Sequence, residues 1–309
     1  MITATNSPVQ QKKSENQHLG PLGLRFRYIL AATDCSPASA AAVKLAARFA
    51  KEFHARLYVL HAVLPELYGV SVTGPVPELA LVDLQNARTH LHQYSERIPE
   101  LRTVKHREIV FLGSPSDAIQ STGHAHGIDL LVLGSHGRQG LAKLTLGSVA
   151  EWAIRRLTLP VLVAGPSCEK TFRPLKSILL ATDLLPDSIR SAQYASSIAQ
   201  DYNSRLTLMN VLSQAGTAEE QANAELRAMA EVRHLVSSEC EEWCTLQFEV
   251  KTGDIAEAIL QSAQRSKADL IVLGAHHLRP LADHALRTKL SAIIRGAHCP
   301  VLVVPNQPA

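Results

Sequence analysis

Several things are scarce in this chain, and each scarcity narrows what it can be. Among 309 residues there are five cysteines, at positions 35, 168, 240, 244 and 299. So few, so irregularly spaced, they make no disulfide framework and suit a reducing cytosol. Charge of one sign is also missing: 31 Lys and Arg stand against 28 Asp and Glu, a net +3 with the 14 His counted neutral. That balance excludes the strongly basic surface of a dedicated nucleic-acid binder. No apolar run reaches the 18 or more residues that cross a bilayer, because Gly, Pro or charge interrupts each one within about eight residues. The first 25 residues carry Lys12 and Lys13 but no apolar stretch behind them, so they read as a disordered, solvated tail and not as a signal peptide. No membrane contact is expected, and a cytoplasmic protein is. Two nucleotide motifs are absent as well: there is no Gly-x-x-x-x-Gly-Lys-Ser/Thr loop, and no Gly-x-Gly-x-x-Gly follows the first strand of either repeat described below.

What is present is an internal repeat. Residues 28–34, YILAATD, return as 177–183, SILLATD, an offset of 149. Residues 128–134, IDLLVLG, return as 268–274, ADLIVLG, an offset of 140 that also relates Gly113 to Gly253 and 159–163 to 299–303. The chain is therefore a tandem duplication, and the second copy has lost nine residues in the middle of the unit. The change falls where copy one has the Pro- and Gly-rich stretch 64–77 and copy two only 213–217. With 46% hydrophobic and 19% charged residues, each half has a globular composition and a core of its own. The expected organisation is a tail over 1–25, a first domain over 26–166, a linker over 167–174 and a second domain over 175–306.

Within each copy, short apolar runs alternate with longer amphipathic ones, the signature of βα units around a parallel sheet. Copy one predicts strands near 27–33, 56–62, 105–111, 129–134 and 160–164. Its helices are predicted near 37–53, 78–98, 115–126 and 148–157, the first opened by Ser36 as N-cap with Pro37 behind it. In the second helix Leu84, Leu91 and Ile98 recur every seven residues beside Leu81 and Ala87, a core-facing stripe. Copy two repeats the strands near 177–182, 205–211, 246–251, 269–274 and 300–304. The fold class is α/β, two doubly wound Rossmann-like domains with right-handed crossovers. Any ligand crevice belongs at the carboxyl ends of the strands.

One such strand end carries chemistry. Gly134-Ser135-His136-Gly137 is followed by nine residues and then Gly147-Ser148-Val149. Glycines after a strand let backbone N–H groups approach an anion without a Cβ in the way. Ser148 with Glu151 three residues on is a capping-box signature, which would start a helix at Ser148 and aim its free N–H groups at the same glycines. Each feature alone also describes an ordinary turn or an ordinary cap; their meeting at one place points to a phosphate cradle.

With its strand, its Gly-x2-Gly-x9-Gly-Ser spacing, its Val149-Ala150-Glu151 helix opening and its Pro-Val-Leu-Val last strand, the chain resembles the universal stress protein family in its tandem two-domain form. The resemblance implies a five-stranded parallel sheet of order 3-2-1-4-5 in each half, flanked by helices, and ATP as ligand. It implies that Gly134, Gly137, Gly147, Ser148 and Val149 wrap the ribose and phosphates, that Asp34 accepts from the adenine amino group and that Val63 meets the adenine ring. Ala32, Thr33 and Ser36 would line the same wall, and Arg138 and Lys143 would be phosphate neighbours or solvent-facing charges. Asp34 also has a plain local use, ending a strand and starting a helix. Mg²⁺ would accompany the nucleotide, held by phosphate oxygens and water and by no protein cage. The two last strands, edges unless paired, would pair with each other as an intramolecular pseudo-dimer; a homodimer of whole chains is left open.

Copy two departs at the motif, reading Gly274-Ala275-His276-His277, nine residues, then Arg287-Thr288. His277 and Arg287 put side chains where backbone would have to meet phosphate, so no ATP is expected there in the same pose; Arg287 and Lys289 at a helix start are the counter-reading, a different anion site. His276, His277, His284 and His298 lack zinc spacing and read as surface or capping residues, and Cys240 and Cys244 read as one face of the second helix of that copy. No general base stands beside a nucleophile, so the leading expectation is a nucleotide-binding stress-response module with no catalytic residues. Two alternatives stay open: slow ATP hydrolysis or autophosphorylation through Ser148 or a neighbouring hydroxyl, and an interaction scaffold with no nucleotide. The stretch 64–77 reads either as a lid or as a disordered insertion.

Overall fold

The computed structural model describes residues 26–64, 78–135, 146–168, 174–186, 188–214, 216–236, 240–274 and 284–305. The first half runs β1 (Tyr28–Ala32), α1 (Pro37–Glu52), β2 (Arg56–Val63), α2 (Glu78–Glu96), a 3-10 turn (Pro99–Thr103), β3 (His106–Leu112), α3 (Pro115–His126), β4 (Leu130–Gly134), α4 (Ser148–Arg156) and β5 (Val161–Ala164). The second runs β6 (Ser177–Thr182), α5 (Ser188–Tyr202), β7 (Arg205–Leu212), α6 (Ala218–His234), α7 (Cys240–Trp243), β8 (Thr245–Thr252), α8 (Ile255–Ser266), β9 (Leu270–Gly274), α9 (His284–Gly296) and β10 (Val301–Val304). The local causes repeat between halves. Ser36 caps α1, its hydroxyl accepting from Ser39 N at 3.3 Å with Pro37 at the first helical position. After α1 and after α5 the chain turns through a left-handed residue, His54 at φ 52° and Asn203 at φ 48°.

All ten strands form one sheet in the order β3-β2-β1-β4-β5-β10-β9-β6-β7-β8, so each half has the order 3-2-1-4-5. Every pairing is parallel except the central one, where β5 and β10 run antiparallel with Val161 opposite Val303 and Val163 opposite Val301. The two Pro-Val-Leu-Val strands thus cover each other's edges. The inner strands are buried on both faces, as a parallel sheet requires, while the outer strands β3 and β8 are only partly covered. In β4, Leu130 and Val132 enter the core beneath α1 and α5, while Leu131 and Leu133 enter the core beneath α4 and α9. Aromatic rings lock the halves together: Phe26 stacks on Tyr194 at 6.0 Å and Phe53 meets Tyr202 edge-on at 5.5 Å. Arg190 of α5 donates to the carbonyl of Thr158 in the first half and to that of Pro305 in its own.

The expected stripe on α2 holds where it is described, with Ala87, Leu91 and Ile98 buried and Leu84 half-buried. The nine-residue difference lies in one connection: residues 64–77 separate β2 from α2, and residues 213–217 separate β7 from α6. One expectation fails. Cys240 and Cys244 do not lie on α6, which ends at His234; Cys240 opens the four-residue α7 and Cys244 follows it, its thiol facing the Cys240 carbonyl at 3.2 Å. An i, i+4 spacing sees one turn of helix and not the break before it.

Candidate functional site

Winding direction changes between β1 and β4, which pair side by side, so a crevice opens beyond their carboxyl ends. On one wall the chain leaves β1 through Thr33, Asp34, Cys35 and Ser36. Cys35 takes a left-handed φ of 60°, held by two side-chain turns: Cys35 N donates to Thr33 Oγ1 at 3.0 Å and Ser36 N to Asp34 Oδ1 at 3.0 Å. Asp34 therefore has the local use foreseen for it, half-buried at the mouth of the crevice. Thr33 points inward: its hydroxyl is 2.7 Å from Ser39 Oγ and donates to Tyr94 Oη at 3.2 Å. Burial pushes the Tyr94 hydroxyl above its ordinary pKa, so it stays a neutral hydrogen-bonding group. His61 Nδ1 sits 2.9 Å from the Thr33 carbonyl and must carry the proton there, while its ring stacks 6.4 Å from that of His90.

The opposite wall is α4. Gly147 N donates to Ser135 O at 2.8 Å, bringing the start of α4 back onto the end of β4. The expected capping box does not form. Gly147 is the N-cap, extended at φ −59° and ψ 143°, and its carbonyl receives Glu151 N at 2.9 Å. Ser148 is the first helical residue and exposed, and Glu151 turns back to Arg155 at 3.4 Å. A Ser-x-x-Glu pattern does not distinguish a capping serine from one already inside the first turn. The consequence favours an anion: the first N–H groups of α4 have no partner within the helix and carry its positive dipole end, beside Gly134 and Ser135.

The predicted residues fall as follows. Ala32, Val63 and Gly134 close β1, β2 and β4; Thr33 and Ser36 are buried and structural; Val149 packs its side chain against the core. Gly137, Arg138 and Lys143 lie outside the described residues, as do His276, His277 and the stretch 65–77. Ser39, His61 and Tyr94 went unpredicted; the partners of Thr33 lie 6, 28 and 61 residues away, and no spacing rule links them. Among the described residues no group of three or more His, Cys, Asp and Glu is placed to hold a metal ion. No described helix is long and apolar enough to cross a membrane. A groove of about 610 Å³ lined by Arg88, His92, Arg107 and Glu108 lies between α2 and the outer strand β3, away from this crevice.

The second half rebuilds one wall and alters the other. Leu184, at φ 61°, donates its N–H to Thr182 Oγ1 at 3.1 Å, and Leu185 N donates to Asp183 Oδ1 at 3.2 Å. Asn210 takes the place of His61, its Nδ2 donating to the Thr182 carbonyl at 2.9 Å. The facing helix α9 begins at His284, four residues before Thr288, the counterpart of Ser148. At 1.5 Å per residue this advances the helix by about 6 Å.

The family model described as "Universal stress protein family" matches this chain twice, over residues 25–165 and 174–305. The chain belongs to the universal stress protein family. A universal stress protein of Methanocaldococcus jannaschii is 30% identical over 139 residues, covering 45% of this chain and 81% of its own length. One of Bacillus subtilis is 30% identical over 153 residues, covering 45% and 98%. Such relatives correspond to one of the two repeats. A solved universal stress protein from Archaeoglobus fulgidus superposes with a TM-score of 0.67 at 20% identity, over 91% of this chain and 98% of that one, which establishes the two-domain α/β fold.

Proposed function

We propose that this universal stress protein binds one ATP, with Mg²⁺, in the crevice of its first half, and that the nucleotide is a regulatory ligand and not a substrate turned over. One observation carries the reading. The Gly147 N–H on the Ser135 carbonyl holds the first N–H groups of α4, which the helix itself leaves without partners, against the end of β4. Phosphates belong at the α4 end, where the dipole is positive and Glu151 is drawn away by Arg155. Adenine belongs at the Asp34 and Val63 end, where a carboxylate repels no phosphate. Gly134, Gly137, Gly147, Ser148 and Val149 would hold ribose and phosphates by backbone, with Ala32, Thr33 and Ser36 supporting the adenine wall and Arg138 beside the phosphates. Gly137 and Arg138 enter on sequence alone. The Mg²⁺ would draw its ligands from phosphate and water.

The binding reading is favoured over turnover by the wall itself. Of its hydroxyls, Thr33 and Ser39 are tied to each other and to Tyr94, and His61 is held by the Thr33 carbonyl. These hydroxyls and this base are committed to holding the wall, which supports binding over turnover. Binding only one conformation, ATP would stabilise it by mass action. The test is nucleotide content: denatured protein should release about one ATP per chain, or acquire one on addition of Mg-ATP, and Gly137→Val should abolish it. A nucleotide-free chain that acquires none refutes the proposal, and turnover of many per second refutes the regulatory role.

A further inference from the structure

Strand β3 ends the sheet on the side of the first half, and among the described residues no strand pairs with its outer side. Its main-chain groups divide between its two sides. The Lys105 carbonyl accepts from Leu57 N at 3.2 Å and Gly113 N donates to Val63 O at 2.8 Å, so the odd-numbered residues face β2, while His106, Glu108 and Val110 turn their N–H and C=O groups outward. Such a row is a template for one more strand. Charge flanks it on both faces. Arg107 is exposed and points with Ile109 to the face that α3 covers, and Arg88 of α2 is exposed on the other face, where Val110 packs and the groove of about 610 Å³ opens. Neither guanidinium meets a carboxylate among the described residues. Glu108, the one acid among the described residues of the groove, is already engaged, with His92 Nδ1 at 3.4 Å from one oxygen and His106 Nε2 at 3.9 Å from the other. The opposite edge of the sheet is differently furnished. On β8 the Arg233 guanidinium lies over the Phe248 ring at 5.0 Å, and Glu249 accepts from Ser262 Oγ at 2.8 Å and from Arg265 at 3.5 Å, so its charges are spent within the fold.

We infer that the β3 edge receives an extended acidic segment of a partner protein, added as a further strand along His106, Glu108 and Val110 with its carboxylates on Arg107 and Arg88. The spacing of those carboxylates follows from the geometry. As the crossover from β2 to β3, α2 runs back toward the amino end of β3, and His92 stands level with Glu108. Arg88, four residues earlier, therefore stands about 6 Å nearer the carboxyl end, about two strand residues on, level with Val110. From Arg107 to Val110 is three residues and a change of face, and an added strand shows alternate side chains to the two faces. The fitting segment thus carries two acids three residues apart with uncharged residues between them. Charges along an edge turn away apolar strands and admit one of opposite charge, which makes the edge selective. This surface lies away from the nucleotide crevice, and the inference does not depend on what that crevice binds.

Fluorescence anisotropy on the full chain with a labelled octapeptide, Thr-Val-Glu-Val-Thr-Glu-Val-Thr, tests this. The peptide should bind saturably and tighter than about 1 mM, and amide exchange should slow at His106, Glu108 and Val110, whose N–H groups gain partners. Replacing both glutamates of the peptide by lysine should abolish binding. Arg107→Glu and Arg88→Glu, each at an exposed position, should weaken it at least about tenfold, the effect of one lost charge-assisted hydrogen bond, while the melting point of either variant stays that of wild type. N-methylation of alternate peptide nitrogens keeps every charge and removes half the donors, so one of the two alternating sets should abolish binding and the other should not. An octapeptide that fails to bind at about 1 mM overturns the inference, as does a lysine peptide that binds equally well or binding indifferent to both arginine substitutions. Equal binding by both N-methylated sets also overturns it, because the contact would then be ion pairing without an added strand.

Discussion

Gly165 follows β5 at the seam between the halves, and its substitution measures how tightly they are joined. A Cβ built there would lie 2.3 Å from the main-chain carbonyl oxygen of Ile294, in the last turns of α9, and 3.8 Å from that of Ala297. Carbon and carbonyl oxygen settle at about 3.3 Å or more, so Gly165→Ala demands that α9 retreat by about 1 Å. The obstacle is backbone, which cannot swing aside as a side chain would, and Gly165 is also tied through its N–H to Cys168 Sγ at 3.2 Å. Overpacking of this kind costs about 1–3 kcal/mol, and the rigid neighbour puts this case near about 3 kcal/mol. At roughly 2 °C per kcal/mol for a chain of this size, calorimetry should show a melting point about 6 °C lower. Hydrogen exchange should rise first in β5 and β10. The matched control is Gly123→Ala within α3, where an added Cβ meets nothing within 4 Å; relief of a glycine inside a helix should raise stability by about 0.5–1 kcal/mol. A Gly165→Ala protein that melts within about 1 °C of wild type would refute the packing argument, because the seam would then be soft enough to absorb a methyl group against backbone.

Two further expectations separate structural from ligand-facing groups. Ser36→Ala should cost about 1 kcal/mol in urea unfolding, since its hydroxyl caps α1, whereas Ser148→Ala, inside the first turn of α4, should leave stability within about 0.5 kcal/mol and weaken ATP binding; equal losses of stability would contradict the assignment of Gly147 as cap. Burial pushes the Asp129 carboxyl up to about 6, against the pull of N–H donors from Arg27 at 2.7 Å and Tyr28 at 3.2 Å. The folded chain then binds that proton more tightly than an unfolded carboxyl near 3.9 does, so this group's contribution to stability falls as pH rises from about 4 to about 6. Solvent screening reduces the ideal swing of about 3 kcal/mol toward about 1. Wild type should lose ground to Asp129→Asn across that window, and parallel melting curves would exclude the shift.

The βα order was legible because its signals are local: alternating apolar runs, Ser36-Pro37 before a helix, Thr-Asp at the end of the first strand of each repeat. The pairing of the two last strands came from the family resemblance and not from spacing, and its antiparallel direction was not foreseen, since nothing in Pro-Val-Leu-Val states the direction of its partner. Illegible from the chain were features made by distant partners. Tyr94 meets Thr33 across 61 residues, and His61 meets it only because β1 and β2 lie side by side. Ser148 and Glu151 misled for a related reason, because a cap is decided by the backbone of the preceding residue and Gly147 had no voice in the pattern.

The central β5–β10 pairing joins two halves of one polypeptide. Two separate chains meeting along such a seam would part on dilution, and a mixture of intact and altered copies would assort at random. Here the partners are tethered, at an effective concentration on the order of millimolar or above, so the assembly is independent of expression level. Every molecule holds one Gly-rich crevice and one remodelled crevice, a fixed stoichiometry of one to one. Because the halves run antiparallel, the crevices open on opposite rims of the sheet, and each is free to accumulate substitutions without crowding the other's ligand. The tandem arrangement is thereby a permanent pairing of two unlike halves whose composition neither gene dosage nor dilution can alter.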